Sequence, residues 1–186
     1  MEVPHVAEQI HKEIEDIGFT MTCDQETATL LRTLAASKSR GRLLELGTGA
    51  GYSTSWILAG MDEESSLITV EVDKKLHQIA KKYLSSDSRV EFVTGDGETF
   101  IRSADDHTFD FIFADTWPGK LSALDETLQL LNKGGFYIID DLLHQEDWPE
   151  PHWAQIKALV SDLAAREDLT ITKLNWSTGL IIATKT

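Results

Sequence analysis

Between residues 43 and 53 the chain reads LLELGTGAGYS, an apolar run that takes in one acid, Glu45, and then places glycines at 47, 49 and 51. Where such a run ends a strand and opens a helix, the bare main chain offers free N–H groups to a ligand lying over the strand's carboxyl end. Acids recur at the ends of four more apolar runs: Glu71 in LITVEV, Asp96 in VTGDGE, Asp115 in FADTW, and the pair Asp140 and Asp141 in YIIDD. An acid at the tip of the second strand can accept both hydroxyls of a ribose, and Asp96 can accept from an exocyclic amine such as that of adenine. Glu45, two residues before the first glycine, would repel a pyrophosphate and welcome a cationic ligand. Tyr52 stands where a dinucleotide fingerprint wants its last glycine. These residue types point to a nucleotide-like cofactor other than a dinucleotide. Two plainer readings stand beside it: glycine also lets a helix pack tightly on a sheet, and an acid at a helix start also complements the helix dipole.

The elements that must position these residues alternate along the chain, as strands and helices do when they build a parallel sheet. VAEQIHKEIEDI and QETATLLRTLAA read as leading helices, the second capped by Asp24. Strands are expected at RLLELG, LITVEV, RVEFVTG, FDFIFAD and GFYIIDD, with helices STSWILAG, KKLHQIAKKYL, ETFIRSA and SALDETLQLLN between them. The strands are short and nearly all apolar, as strands covered on both faces must be. After a helix over PHWAQIKALVSDLAARE, the runs LTITKL and GLIIATK are too close for a helical crossover, so one of them is antiparallel. The expected fold is α/β, a doubly wound, seven-stranded, mostly parallel sheet with an antiparallel C-terminal strand and helices on both faces. One domain spans 1–186, with 1–40 as a helical cover and 41–186 as the Rossmann-like core.

Composition narrows the partners. A chain of 186 residues with 41% hydrophobic residues suits a single core, and a formal net charge of -14 repels nucleic acid and anionic membrane surfaces. Cys23, the single cysteine, permits no intrachain disulfide and no thiolate cluster, and reads as a small buried residue. The N-terminus lacks a basic start with an apolar core region, so a cytoplasmic location is expected.

Together, LLELGTGAGYSTSWIL, LITVEVD, VTGDG, FDFIFAD, LLNKGGFYIIDD and STGLIIATK resemble the class I S-adenosylmethionine-dependent methyltransferases, in particular the small catechol and caffeoyl-CoA O-methyltransferases. The resemblance covers roughly residues 20 to 186. It implies S-adenosyl-L-methionine as cofactor, with Glu45, Gly47, Thr48, Gly49, Gly51, Tyr52 and Ser53 around its methionine part. Glu71 and Val72 would hold the ribose, Asp96 and Gly97 the adenine, and Asp115 would border the same site. It implies O-methylation of a small-molecule acceptor and allows a homodimer. It also allows Mg2+ or another divalent cation on Asp115, Asp140 and Asp141, with the acceptor hydroxyls completing the shell and lowering the acceptor's pKa.

This chain departs from the family pattern at two points. Asp141 fills a position where the family has Asn, and Pro118 one where it has the lysine that serves as base. Lys120 lies two positions on and reads either as the displaced base or as a solvated lysine at a helix start. His144 is a second candidate base or an exposed loop histidine. Trp117 and Trp148 suit stacking on a flat acceptor, Trp153 suits helix packing, and Met21 and Thr22 lie where the family's chain passes over the cofactor. Two alternatives remain open: a protein that binds the cofactor without transfer, and a nicotinamide-dependent oxidoreductase, which Glu45 and Tyr52 disfavour.

Overall fold

The computed structural model describes residues 3–104, 108–145 and 148–186. Its seven strands are β1 Arg42–Leu46, β2 Ser66–Glu71, β3 Val90–Thr94, β4 Phe109–Ala114, β5 Leu131–Ile139, β6 Leu169–Leu174 and β7 Leu180–Lys185. They form one sheet in the order β3-β2-β1-β4-β5-β7-β6, with β7 antiparallel to both its neighbours and the pairs from β3 to β5 parallel. The expected sheet is thus the observed one. Its order reverses between β1 and β4, the switch point outside which ligands of such sheets bind.

Among the described residues seven helices wrap it: α1 His5–Ile17, α2 Gln25–Ala36, α3 Tyr52–Gly60, α4 Lys74–Leu84, α5 Gly97–Ser103, α6 Leu124–Gln129 and α7 Glu150–Ala165. Helices α1 to α4 bury their apolar stripes, Ile10, Leu31, Trp56 and Leu84 among them, against Leu43, Phe111 and Ile138 on one face of the sheet. Ile101, Leu128, Ile156 and Leu163 of α5 to α7 pack against Leu44, Ile112 and Ile139 on the other. Each fully buried aliphatic or aromatic side chain contributes about 1.5–3 kcal/mol relative to exposure.

Helix starts follow the expected chemistry where an acid precedes them. Asp24 accepts from the Thr27 N–H at 2.8 Å, Asp73 from Lys75 at 2.7 Å, and Asp96 from Thr99 at 2.8 Å. One element is misjudged by periodicity. SALDETLQLLN yields only the short α6, because β5 starts at Leu131, earlier than GFYIIDD suggests. Leu131 pairs with Phe109, a shift in register follows, and Gly134 at φ +75° carries the irregularity. No helix among the described residues is long and apolar enough to cross a membrane.

Candidate active site

The glycine turn joins β1 to α3 at the carboxyl edge of the sheet, and what crowds its main chain is largely the protein itself. Gly51 lies at φ +96°, and a Cβ there would stand 2.9 Å from the Cβ of Ala80 on α4. Gly47 lies at φ +104°, and its Cβ would meet the carbonyl oxygen of Asp115 at 3.0 Å. Close packing of α4 and of the β4 tip therefore accounts for two of the three glycines.

Beneath the turn, Glu45 has 0% exposure. Its carboxylate accepts from the hydroxyls of Ser53 at 2.6 Å, Thr54 at 2.5 Å and Thr69 at 2.6 Å. Burial raises its pKa and the three hydroxyls counteract that. This corrects the expectation that Glu45 meets the ligand or opposes a pyrophosphate directly: it is enclosed, and it fixes α3 and β2 against β1. Ser53 spends its hydroxyl on the same bond. Tyr52 is also turned inward, its ring 5.7 Å from that of His11 and 6.3 Å from that of Trp56. Together with Thr22 and Cys23 it lines a cavity of about 700 Å3 between α1 and the start of α2.

At the neighbouring tip, Glu71 spans two turns. One carboxylate oxygen accepts from the Gly49 N–H at 2.7 Å and the other from the Asp73 N–H at 2.8 Å. Asp96 is exposed, and the bonds from Thr99 hold its carboxyl below the usual carboxylate range while engaging only one of its oxygens. Gly97 faces the Cβ of Pro118, 3.0 Å from where its own would lie, which brings the DTWPGK turn against the start of α5. Val72 is exposed beside Glu71, as are Met21 before α2 and Trp117 after β4.

The tips of β4 and β5 carry the remaining candidates. Asp115 is pushed up to about 7, chiefly by burial and further by Asp141, Asp140 and Glu45, while Lys120 offsets part of the shift. Asp140 is buried and also raised by burial, but its carboxylate is already engaged: one oxygen accepts both the Thr178 hydroxyl and the Asp141 N–H, the latter at 2.7 Å. Asp141 lies in the left-handed region at φ +59° and is partly exposed.

Lys120 is not a solvated lysine. It is 5% exposed, and its Nζ donates to the Asp140 carbonyl at 3.0 Å. Three N–H groups, of Lys120, Leu121 and Ser122, close on the Trp117 carbonyl, and the Tyr137 hydroxyl holds the Gly119 carbonyl at 2.5 Å. That turn swings the lysine inward. The donor set does not fit a divalent cation: no group of three acids, histidines or cysteines among the described residues is arranged to hold one. The positive charge nearest these carboxylates in the site is Lys120, which acts on Asp115 and Asp140. Cys23 sits close enough for Asp115, Asp140 and Glu45 to raise its thiol pKa beyond the effect of burial, so it is a packed thiol and no nucleophile.

Around the tips the aromatic residues stack on one another. Trp117, 61% exposed, lies at 5.9 Å and near-parallel to the ring of His152, which meets Trp148 edge-on at 4.6 Å. His152 keeps a buried Nδ1 without a partner among the described residues. His144 is exposed and edge-on to Trp153 at 5.2 Å. Residues 146 and 147 of the QEDWPEPHW loop lie outside the described residues. Sequence reasoning missed Thr178 and His152, whose places depend on the folded edge.

A family model described as O-methyltransferase matches residues 2–186. The chain belongs to the O-methyltransferase family. A relative from Mycolicibacterium vanbaalenii, named only provisionally as an O-methyltransferase, is 30% identical over 115 residues, 59% of this chain and 51% of that protein. One from Mycobacterium marinum, named in the same provisional way, is 27% identical over 157 residues, 82% of this chain and 64% of its own. The chain spans about half the length of the first of these relatives. Among solved structures, the O-methyltransferase from Bacillus cereus in complex with SAH has a TM-score of 0.87 at 21% identity, covering 100% of this chain and 93% of that one. TomG from Streptomyces achromogenes, an O-methyltransferase involved in tomaymycin synthesis and solved with SAM, has a TM-score of 0.86 at 21% identity, covering 100% and 91%. At these identities the likeness carries the fold.

Proposed function

We propose that this protein transfers the methyl group of S-adenosylmethionine to an oxygen of a small-molecule acceptor. The observation that carries the reading is the accumulation of acids at successive strand tips, Glu71, Asp96, Asp115, Asp140 and Asp141, around a main-chain turn in a member of this family. Such an edge suits a cationic nucleoside and opposes a pyrophosphate. Gly47, Thr48 and Gly49 would surround the methionine part, Glu71 and Val72 the ribose, and Asp96 with Gly97 the adenine.

The sulfonium methyl is already activated, so the protein must align and deprotonate the acceptor. A lone pair of the acceptor oxygen forms the new O–C bond as the C–S bond breaks. The electron pair stays on sulfur, leaving a neutral thioether, and the hydroxyl proton passes to the Asp115 carboxylate and on to water. A base with a pKa near working pH suits this task, and Asp115 is pushed up to about 7. Lys120 positions the end of β5 in this reading, through the bond from its Nζ to the Asp140 carbonyl. A homodimer belongs to the same proposal and is supported by the resemblance alone.

The test uses S-adenosylmethionine with a 13C methyl group and a panel of phenols, catechols and carboxylic acids, read by NMR. An O-linked 13C methyl product supports the reading. Label on nitrogen or carbon, or bound cofactor with no transfer across the panel, contradicts it.

A further inference from the structure

We propose that Lys120 supplies from within the fold the positive charge that the resemblance assigns to a divalent cation, so that transfer runs without a metal and an acceptor with one hydroxyl suffices. The inference rests on the methyltransferase reading for its second half only. Its first half rests on geometry. A lysine 5% exposed is buried at the junction of the β4 and β5 tips, with Nζ 3.0 Å from the Asp140 carbonyl. One oxygen of the Asp140 carboxylate, which a cation would need, accepts instead from Thr178 and from the Asp141 N–H. The lysine's charge acts on both Asp115 and Asp140. Buried lysines are rare unless partnered, and this one stands near Asp115 and Asp140, whose like charges would otherwise repel one another.

The two kinds of cation ask different things of an acceptor. A divalent ion completes its shell with two neighbouring oxygens of the acceptor and acidifies them as a Lewis acid. An ammonium has three N–H groups, of which one is spent on Asp140, so it can steady a single developing oxyanion by hydrogen bonding and charge. A vicinal diol is then no requirement.

The deciding experiment is a calorimetric titration of the purified wild-type chain with MnCl2, beside thermal melts in EDTA and in MgCl2. The proposal expects no stoichiometric Mn2+ binding up to millimolar concentration and the same melting midpoint in both buffers. Lys120→Gln should gain Mn2+ affinity by at least about tenfold as the acids lose their internal cation, whereas Lys120→Arg should stay indifferent. Micromolar one-to-one Mn2+ binding to the wild type, a midpoint lowered by EDTA, or a folded Lys120→Gln chain that ignores Mn2+ overturns it. If Lys120→Gln does not fold, the wild-type and Lys120→Arg titrations still decide. A parallel titration with S-adenosylhomocysteine separates the two readings: its failure removes the methyltransferase reading and metal-free transfer with it, while the Mn2+ result reports on the lysine's charge independently.

Discussion

Lys120 Nζ donates to the Asp140 main-chain carbonyl at 3.0 Å, and this bond ties the turn after β4 to the end of β5. The contact places a positive charge where Asp115, Asp140 and Asp141 crowd. Lys120→Ala leaves those acids uncompensated, and removing one partner of a buried charged set costs about 3–5 kcal/mol. Urea denaturation at neutral pH should show that loss. At pH 5 it should be smaller, because Asp115 is then protonated in the folded state.

The same shift sets a pH dependence. An aspartate free in solution titrates at 3.8, whereas Asp115 in the fold titrates at about 7, so between these values the native state binds a proton that the unfolded state has lost. Its contribution to stability is therefore fully present below the lower value and lost as pH rises through the upper one. Asp115→Asn should flatten the fall in stability across that window in urea titrations at stepped pH. If Asp115 receives the acceptor proton, methyl transfer should rise through the same range in the wild type and lose that limb in the variant.

Glu45 predicts a stability defect that looks like a binding defect. Glu45→Ala leaves the hydroxyls of Ser53, Thr54 and Thr69 buried without their acceptor, at about 1–3 kcal/mol for each unmet group. Glu45→Gln keeps one acceptor oxygen and should lose less. Chemical denaturation of both variants orders them, and ligand affinity should fall in the same order because the carboxylate holds the turn in place.

At Gly51 the clash can be relieved from the other side. Gly51→Ala meets the Ala80 Cβ at 2.9 Å and occupies φ +96°, so it should destabilise by about 2 kcal/mol or more. Adding Ala80→Gly removes the nearest contact and leaves the backbone strain and the 3.1 Å contacts with the Ala80 Cα and the Leu84 Cδ1. A double-mutant cycle in melting midpoint should show partial recovery beyond additivity.

Much of the fold is legible in the sequence because strands buried on both faces must be continuous apolar runs, as FDFIFA and LLEL are. Their ends are then legible too, and the acids that close them fall on one edge. What sequence does not carry is which neighbour each tip residue meets. Glu45 finds Thr69 on another strand, and Asp140 finds Thr178 in the β6–β7 turn. Lys120 reads either as a displaced base or as a solvated lysine until Tyr137 and the Trp117 carbonyl fold its turn inward. The glycine spacing suggests a ligand at Gly51, where the structure has α4. The end of α6 misleads because Leu131 continues into β5, where strand pairing with Phe109 outweighs the helical spacing of TLQLLN.

Glu71 tests the cofactor crevice, since it bridges the Gly49 and Asp73 N–H groups beside the exposed Val72. The most direct measurement is calorimetric titration of S-adenosylhomocysteine into the wild type and Glu71→Ala. Binding at one site per chain in the micromolar range, weakened about tenfold or more in the variant, is the predicted result. No binding at high micromolar ligand, or tighter binding of NAD to the same chain, would contradict the account.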